Sequence, residues 1–159
     1  GVASALALQA AGVARIVLAE PNGARRERIA RLPGLEVVDP ADAGDATANA
    51  FEAVVDAVGV AATRARACAA VRPGGVIVHI GLGEATGGLD VRRMTLQEID
   101  FVGTYTYTME DFRRTAEAIA AGRLGPLDWF EPRDLAEGPA AFDDILAGRV
   151  AAPKIVLRP

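Results

Sequence analysis

The sequence is poor in the residues from which disulfides, metal centres and aromatic cores are made. It holds one cysteine, one histidine and one tryptophan, and only 5% of its residues are aromatic. The single cysteine, Cys68, can form no internal disulfide. Together with His79 it also offers too few soft ligands for a catalytic zinc, which takes three protein ligands and an open position, so no metal site and no catalytic residue is assigned. Basic residues are outnumbered, 17 Lys+Arg against 21 Asp+Glu for a net charge of −4. No basic stripe is therefore available to neutralise the phosphates of a nucleic acid. Long hydrophobic runs are missing as well. The longest uncharged stretch, Gly1 to Ala14, is alanine-rich, contains Gln9, and falls short of the roughly 18 apolar residues a membrane span requires. No charged segment followed by an apolar one opens the chain as an export signal would, and the expected setting is the reducing cytoplasm.

What is present is a chain of 159 residues, 51% of them hydrophobic, enough for one domain with a substantial core. Val2, Leu6, Leu8 and Val13 lie among alanines and predict a helix that Gly12 stops. Arg15 to Glu20 reads as a β-branched strand, Pro21-Asn22-Gly23 as a turn, and Ala24 to Leu32 as an amphipathic helix ended by Pro33-Gly34. The unit repeats. Leu35 to Val38 is strand-like, Ala41 to Ala50 a polar or helical connection, Phe51 to Ala57 a strand closed by Gly59, and Ala61 to Val71 a helix. After a turn at Pro73-Gly74-Gly75, the run Val76 to Leu82 is apolar with almost no alternation, as in strands covered on both faces. Further on come a loop at Glu84 to Gly88, a helical turn at Met94 to Glu98, a strand at Asp100 to Tyr105 and a helix at Met109 to Ala121. A short helix at Ala140 to Leu146 and a strand at Lys154 to Leu157 end the chain. Strands alternating with helices of about ten residues indicate parallel βαβ units. The fold class is α/β.

The segment with the most chemical content runs from Gly1 to Glu20, a glycine opening a small-residue helix and then a strand ending in a carboxylate. In nucleotide-binding sheets the third glycine of G-x-G-x-x-G lets the first helix pack closely, and that helix's N-terminus faces the pyrophosphate. Gly1 fits that third position. An acid about 20 residues beyond the fingerprint accepts hydrogen bonds from the adenosine ribose, and Glu20 stands there. The residues alone leave a nucleotide site and an ordinary strand-end acid both open.

The stretch Ala10-Ala11-Gly12-Val13-Ala14-Arg15-Ile16-Val17 followed by Glu20 resembles the cofactor domain of the zinc-type alcohol and polyol dehydrogenases of the medium-chain dehydrogenase/reductase superfamily. Phe51 to Gly59 (FEAVVDAVG), Arg72 to Leu82 (RPGGVIVHIGL) and the tail from Ala141-Phe142 through Gly148 to Lys154-Ile155-Val156-Leu157 agree with it in order and spacing. The resemblance implies a Rossmann-type doubly wound parallel sheet. It places Gly1 beside the pyrophosphate, Glu20 on the adenosine ribose, Ala57 and Val58 on the adenine side, and Ile80, Gly81 and Leu82 beside the nicotinamide ribose. Thr104, Tyr105 and Thr106 would offer backbone groups to the nicotinamide amide, and Lys154 would lie near the phosphates. A carboxylate at Glu20 repels the 2′-phosphate of NADP and accepts from a free hydroxyl, which favours NAD. Arg25 and Arg26 are the counter-signal, since arginines bind phosphate. A basic residue at the position of Arg25 is compatible with NAD in the family.

The same resemblance divides the chain into a dinucleotide-binding part, residues 1–126, and a tail, residues 127–159, that returns to a catalytic half not contained here. The zinc of the family, with its ligands, belongs to that half, so zinc is expected in a full-length protein and this part alone is expected to be inactive. The strand that precedes Gly1 in the family lies centrally in the sheet, between the strands at Arg15 and Phe51. Without it, two ladders of backbone groups are unpaired, and the chain is expected to be a fragment. The expected reaction is hydride transfer between a small-molecule alcohol or polyol and NAD. The alternatives are a zinc-free NADPH-dependent quinone or enoyl reductase of the same superfamily, a SAM-dependent methyltransferase, and a nucleotide-binding module without catalysis. Leu89, Val91 and Phe101 fall where family members pair edge to edge, so a homodimer through an edge strand there is expected. His79 reads as a satisfied sheet-face histidine with no acid beside it in sequence. Cys68 reads as a small buried apolar residue, and Tyr105 and Tyr107, alternating with threonines, as strand positions.

Overall fold

The computed structural model describes residues 1–42 and 47–159, so the connection expected over Ala41 to Ala50 lies partly outside the described residues. The chain forms two compact units. One holds Gly1 and residues 43–110; the other joins residues 2–42 to 111–159.

In the second unit, α1 (Val2–Ala10) buries Val2, Ala5 and Leu6, one helical face at i, i+3, i+4 spacing. The helix ends at Ala10, and Gly12, at φ +84°, turns the chain out of it as expected. Its face packs with Ile16 and Leu18 around β1 (Val17–Ala19), and with Ile29 and Leu32 from the end of α2 (Gly23–Ile29) and just beyond it. Ile29 is fully enclosed, a burial worth about 1.5–3 kcal/mol. β1 pairs in parallel with β2 (Glu36–Val38), Val17 opposite Glu36. α2 opens on Asn22, whose side chain accepts from the Arg25 backbone N–H. The C-terminal segment contributes α5 (Met109–Ala120), β6 (Phe130–Asp134), a 3-10 turn at Leu135–Glu137, α6 (Gly138–Leu146) and β7 (Lys154–Arg158). β6 and β7 pair in parallel. β6 was not foreseen, because Phe-Glu-Pro-Arg-Asp carries a proline and three charges and lacks the β-branched alternation of a strand. This segment is tied back to α2 by hydrogen bonds from Asn22 to the Gly148 carbonyl and from Arg28 to the carbonyls of Asp128 and Phe130, while Trp129 packs on the α1–β1 core.

In the first unit, β3 (Phe51–Asp56), β4 (Val71–His79) and β5 (Asp100–Gly103) form a parallel sheet in that order. α3 (Ala61–Ala70) covers one face, with Ala67 and Cys68 packed on Val71, Ile77 and Ile99. Cys68 is thus the buried apolar residue expected. The turn expected at Pro73-Gly74-Gly75 is carried inside β4. Pairing runs from Phe51 opposite Val71 directly to Ala53 opposite Val76, so the extra residues form a bulge and the strand resumes in register. The helical turn expected at Met94 to Glu98 is α4 (Val91–Leu96), started by the Asp90 side chain accepting from Arg93 N–H. Leu89 and Val91 therefore do not form an edge strand; Leu89 is in a loop and Val91 opens α4, while Phe101 is in β5. β5 also stops earlier than expected. Tyr105 and Tyr107 are exposed residues outside any strand, because Thr106 takes a left-handed conformation that a ladder cannot continue. Among the described residues, β1 and β3 each pair on one side only.

Candidate functional site

In parallel sheets, ligands bind beyond the carboxyl ends of the strands, and each unit presents polar groups there. In the unit of residues 43–110, β3 ends on Asp56, a fully buried carboxylate. Its Oδ1 accepts from the backbone N–H groups of Val58 and Gly59 at 3.1 and 2.9 Å, and its Oδ2 accepts from the Thr63 hydroxyl at 3.1 Å. The Asp56 carbonyl in turn accepts from the N–H groups of Ile80 and Gly81. One residue thus fixes both chain segments that leave β3 and β4. Those segments cross in backbone contact. A Cβ on Gly81 would fall within the main chain of Val58 and Gly59, and one on Gly59 within the carbonyl of Gly81, so both glycines are required by the crossing itself.

The sheet register sets Asp56 opposite His79, and the His79 Nε2 lies 3.6 Å from Asp56 Oδ2. That is too long for a hydrogen bond, and Nε2 is buried without a hydrogen-bond partner. His79 is therefore not the satisfied histidine expected, and an acid does adjoin it, across the strands rather than along the chain. Its ring lies against Phe101 with centroids 5.3 Å apart. Of the residues singled out on the sequence, Val58, Ile80 and Leu82 are exposed, Leu82 by 78%. Ala57 is half-buried and Gly81 buried. Thr104 bonds through its N–H to the His79 carbonyl, and Tyr105 and Thr106 follow as exposed residues. Gly1 is exposed. An open cleft of about 570 Å³ is lined by His79, Gly81, Leu82, Phe101, Arg64 and the loop from Glu84 to Leu89.

In the other unit, Glu20 follows the last residue of β1 and its N–H bonds to the Val38 carbonyl. Its side chain is 15% exposed. Oε1 accepts from Asn22 N–H at 3.0 Å and Oε2 lies 3.5 Å from the Arg25 guanidinium. Arg25 also donates to the Val150 carbonyl. Arg26 donates to the carbonyls of Glu20 and Pro21 and pairs with Asp39 at 2.7 Å. The terminal nitrogens of both arginines are thus engaged by protein partners, while Arg25 Nε is buried without one. Lys154 is exposed at the start of β7.

Sequence reasoning missed Asp56 and Arg64, the two buried charged residues of the described structure. A signal existed for Asp56, an acid inside an apolar strand three residues before a glycine. None existed for Arg64, which in sequence is an ordinary helix residue. As for a metal, no three His, Cys, Asp or Glu side chains converge among the described residues, so this donor set does not fit a zinc ion and no step is derived through one.

Parallel strands joined by helices, with glycine-crossed loops and a carboxylate at their carboxyl ends, define a Rossmann-type α/β fold. Comparison with solved structures agrees. Acetophenone reductase from Geotrichum candidum, solved in complex with NAD, superimposes with a TM-score of 0.87 at 18% identity over 100% of this chain and 45% of its own. The Escherichia coli K-12 protein YhdH with bound NADPH does so with a TM-score of 0.73 at 19% identity over 98% and 50%. At such identities these likenesses show the fold. Residues 1–121 match the family of zinc-binding dehydrogenases, and the chain belongs to that family. A probable diacetyl reductase, (R)-acetoin forming, of Saccharomyces cerevisiae is 30% identical over 94% of this chain and 38% of its own length. The chain spans half or less of the length of each of these relatives.

Proposed function

We propose that this chain is the dinucleotide-binding part of an NAD-dependent oxidoreductase acting on a small alcohol, polyol or the corresponding carbonyl compound. The cofactor, when bound, supplies the hydride acceptor; the residues of this chain bind and orient it. Glu20 accepts from the adenosine ribose hydroxyls, and Ile80 to Leu82 and Thr104 to Thr106 offer backbone groups to the nicotinamide end. Division at about residue 126, a homodimer and a cytoplasmic setting belong to the same reading, as does a zinc held by residues outside this chain.

The observation that carries the choice of NAD is the state of three side chains. Glu20 keeps lone pairs for a ribose diol, while Arg25 and Arg26, the groups that could attract a 2′-phosphate, are engaged by Glu20, Val150 and Asp39. A carboxylate with no free arginine beside it opposes NADP. Titrating the intact protein with NAD and NADP should show NAD binding more tightly. Glu20→Ala should weaken NAD about tenfold, the worth of hydrogen bonds to a charged acceptor, and narrow the preference. Tighter binding of NADP by the unmutated protein would overturn the choice.

A further inference from the structure

Arg64 is buried, with 5% exposure, and burying a guanidinium is costly unless its donors are met. Here they are met by main-chain carbonyls. Nε donates to Gly87 at 2.6 Å, Nη1 to Gly59 at 2.9 Å and Glu84 at 3.0 Å, and Nη2 to Thr86. One side chain of α3 thereby joins the turn after β3 to the loop after β4, which lies 20 to 23 residues beyond Arg64 itself. The same loop is held at three more points. Gly83 N–H bonds to the Val58 carbonyl, Glu84 N–H to the Gly59 carbonyl, and the Glu84 carboxylate accepts from Ala61 N–H at 2.7 Å, at the first turn of α3. Gly88, at φ +84°, lies against the Ala61 carbonyl so closely that a Cβ would overlap it.

These contacts fix the segment that follows Ile80-Gly81-Leu82. We propose that Arg64 is a positioning residue for the nicotinamide half of the dinucleotide: by clamping the loop Glu84 to Gly88 onto α3, it presets the backbone of Gly81 to Gly83 for the cofactor. The inference rests on the dinucleotide reading above. Its geometry depends on arginine, because a planar fork can meet carbonyls from several directions and a lysine ammonium on a flexible stem cannot. A preset loop spares the ligand the cost of ordering it.

The test compares NAD with 5′-AMP, which carries only the adenosine half, on the intact protein. Arg64→Lys should weaken NAD by about tenfold, the worth of one charge-assisted hydrogen bond, and leave AMP affinity within about twofold of the parent. Gly88→Ala, which pushes the loop from α3 with the guanidinium intact, should give the same split, and it serves as the second variant if Arg64→Lys folds poorly. A merely structural loss would weaken both ligands together or neither. Equal weakening, or an unchanged ratio of NAD to AMP affinity in both variants, overturns the role of Arg64 alone. A parent protein that binds neither ligand overturns the dinucleotide reading and the inference with it.

Discussion

The unit of residues 43–110 organises its strand ends around buried charges bonded to the main chain, whereas the unit containing Glu20 uses partly exposed side chains bonded to one another. Asp56 and Arg64 are almost wholly enclosed, and most of their partners are backbone N–H and carbonyl groups. Glu20, Arg25, Arg26 and Asp39 keep between 15% and 26% of their side-chain surface in solvent. A buried charge among backbone groups fixes chain geometry, and its loss leaves donors or acceptors without partners. A partly solvated pair is interchangeable with water, so its loss costs little stability and mainly changes what can bind.

The sharpest way to break this contrast is through the crossing of the two loops. In Gly81→Ala the new methyl would enter the main chain of Val58 and Gly59, and backbone cannot yield as a side chain can. A destabilisation of about 3 kcal/mol or more is expected, the upper end of overpacking effects, read from urea unfolding of the intact protein. A loss below about 1 kcal/mol would show that the crossing is not rigid.

Next in size is a paired comparison of carboxylates. Asp56→Ala strips acceptors from the Val58 and Gly59 N–H groups and from the Thr63 hydroxyl, and should cost about 2–3 kcal/mol. Asp56→Asn keeps an acceptor for the turn and should cost less. Glu20→Ala should cost below about 1 kcal/mol in the same unfolding experiment, because water replaces a partly exposed partner. Equal losses for Asp56→Ala and Glu20→Ala would erase the distinction between the two units.

The legibility of the two units in the sequence differs for the same reason. Glu20 at the end of a strand, the helix of Val2, Leu6 and Leu8 among alanines, and the apolar strand before Ile80 are local patterns whose meaning lies within a few residues of chain. The α/β class and most element positions followed from such patterns, and the family from the resemblance carried by the ordered segments around Glu20, Phe51 to Gly59 and Arg72 to Leu82. What escaped depends on distant partners. His79 acquires Asp56 as a neighbour through the register of β3 on β4, and Arg64 acquires its role through carbonyls of a loop more than 20 residues away. Strand signals at Tyr105 and Tyr107 were overridden by Thr106, and those of β6 were masked by Pro132 and its charged neighbours until β7 supplied a ladder. Local chemistry thus made the elements legible, and tertiary chemistry the contacts that hold the loops between them.

The smallest expected effect probes a third arrangement, a partly exposed network in the C-terminal segment. Asp144 on α6 accepts from Arg133 of β6 at 2.8 Å and from Arg149 at 2.8–2.9 Å, and Arg133 also bonds Glu131 at 2.7 Å. Hydrogen bonds from Arg133 first and Arg149 second hold the Asp144 carboxyl below its ordinary range, and the bonds to Glu131 and Asp144 raise the Arg133 guanidinium above its own. A carboxylate favoured in the folded state adds stability that is complete above its unfolded-state value and is lost as the pH falls through the lower folded-state value. Asp144→Asn should therefore lower Tm slightly at neutral pH, and the gap from the parent should close as the pH drops below about 4. The network is solvated, so the gap should also shrink in high salt. A gap of equal size at neutral and strongly acidic pH would mean that Asp144 acts through packing of α6 on β6, and that these partly exposed charges add less to this fold than the Asp56 and Arg64 hubs by more than solvation alone explains.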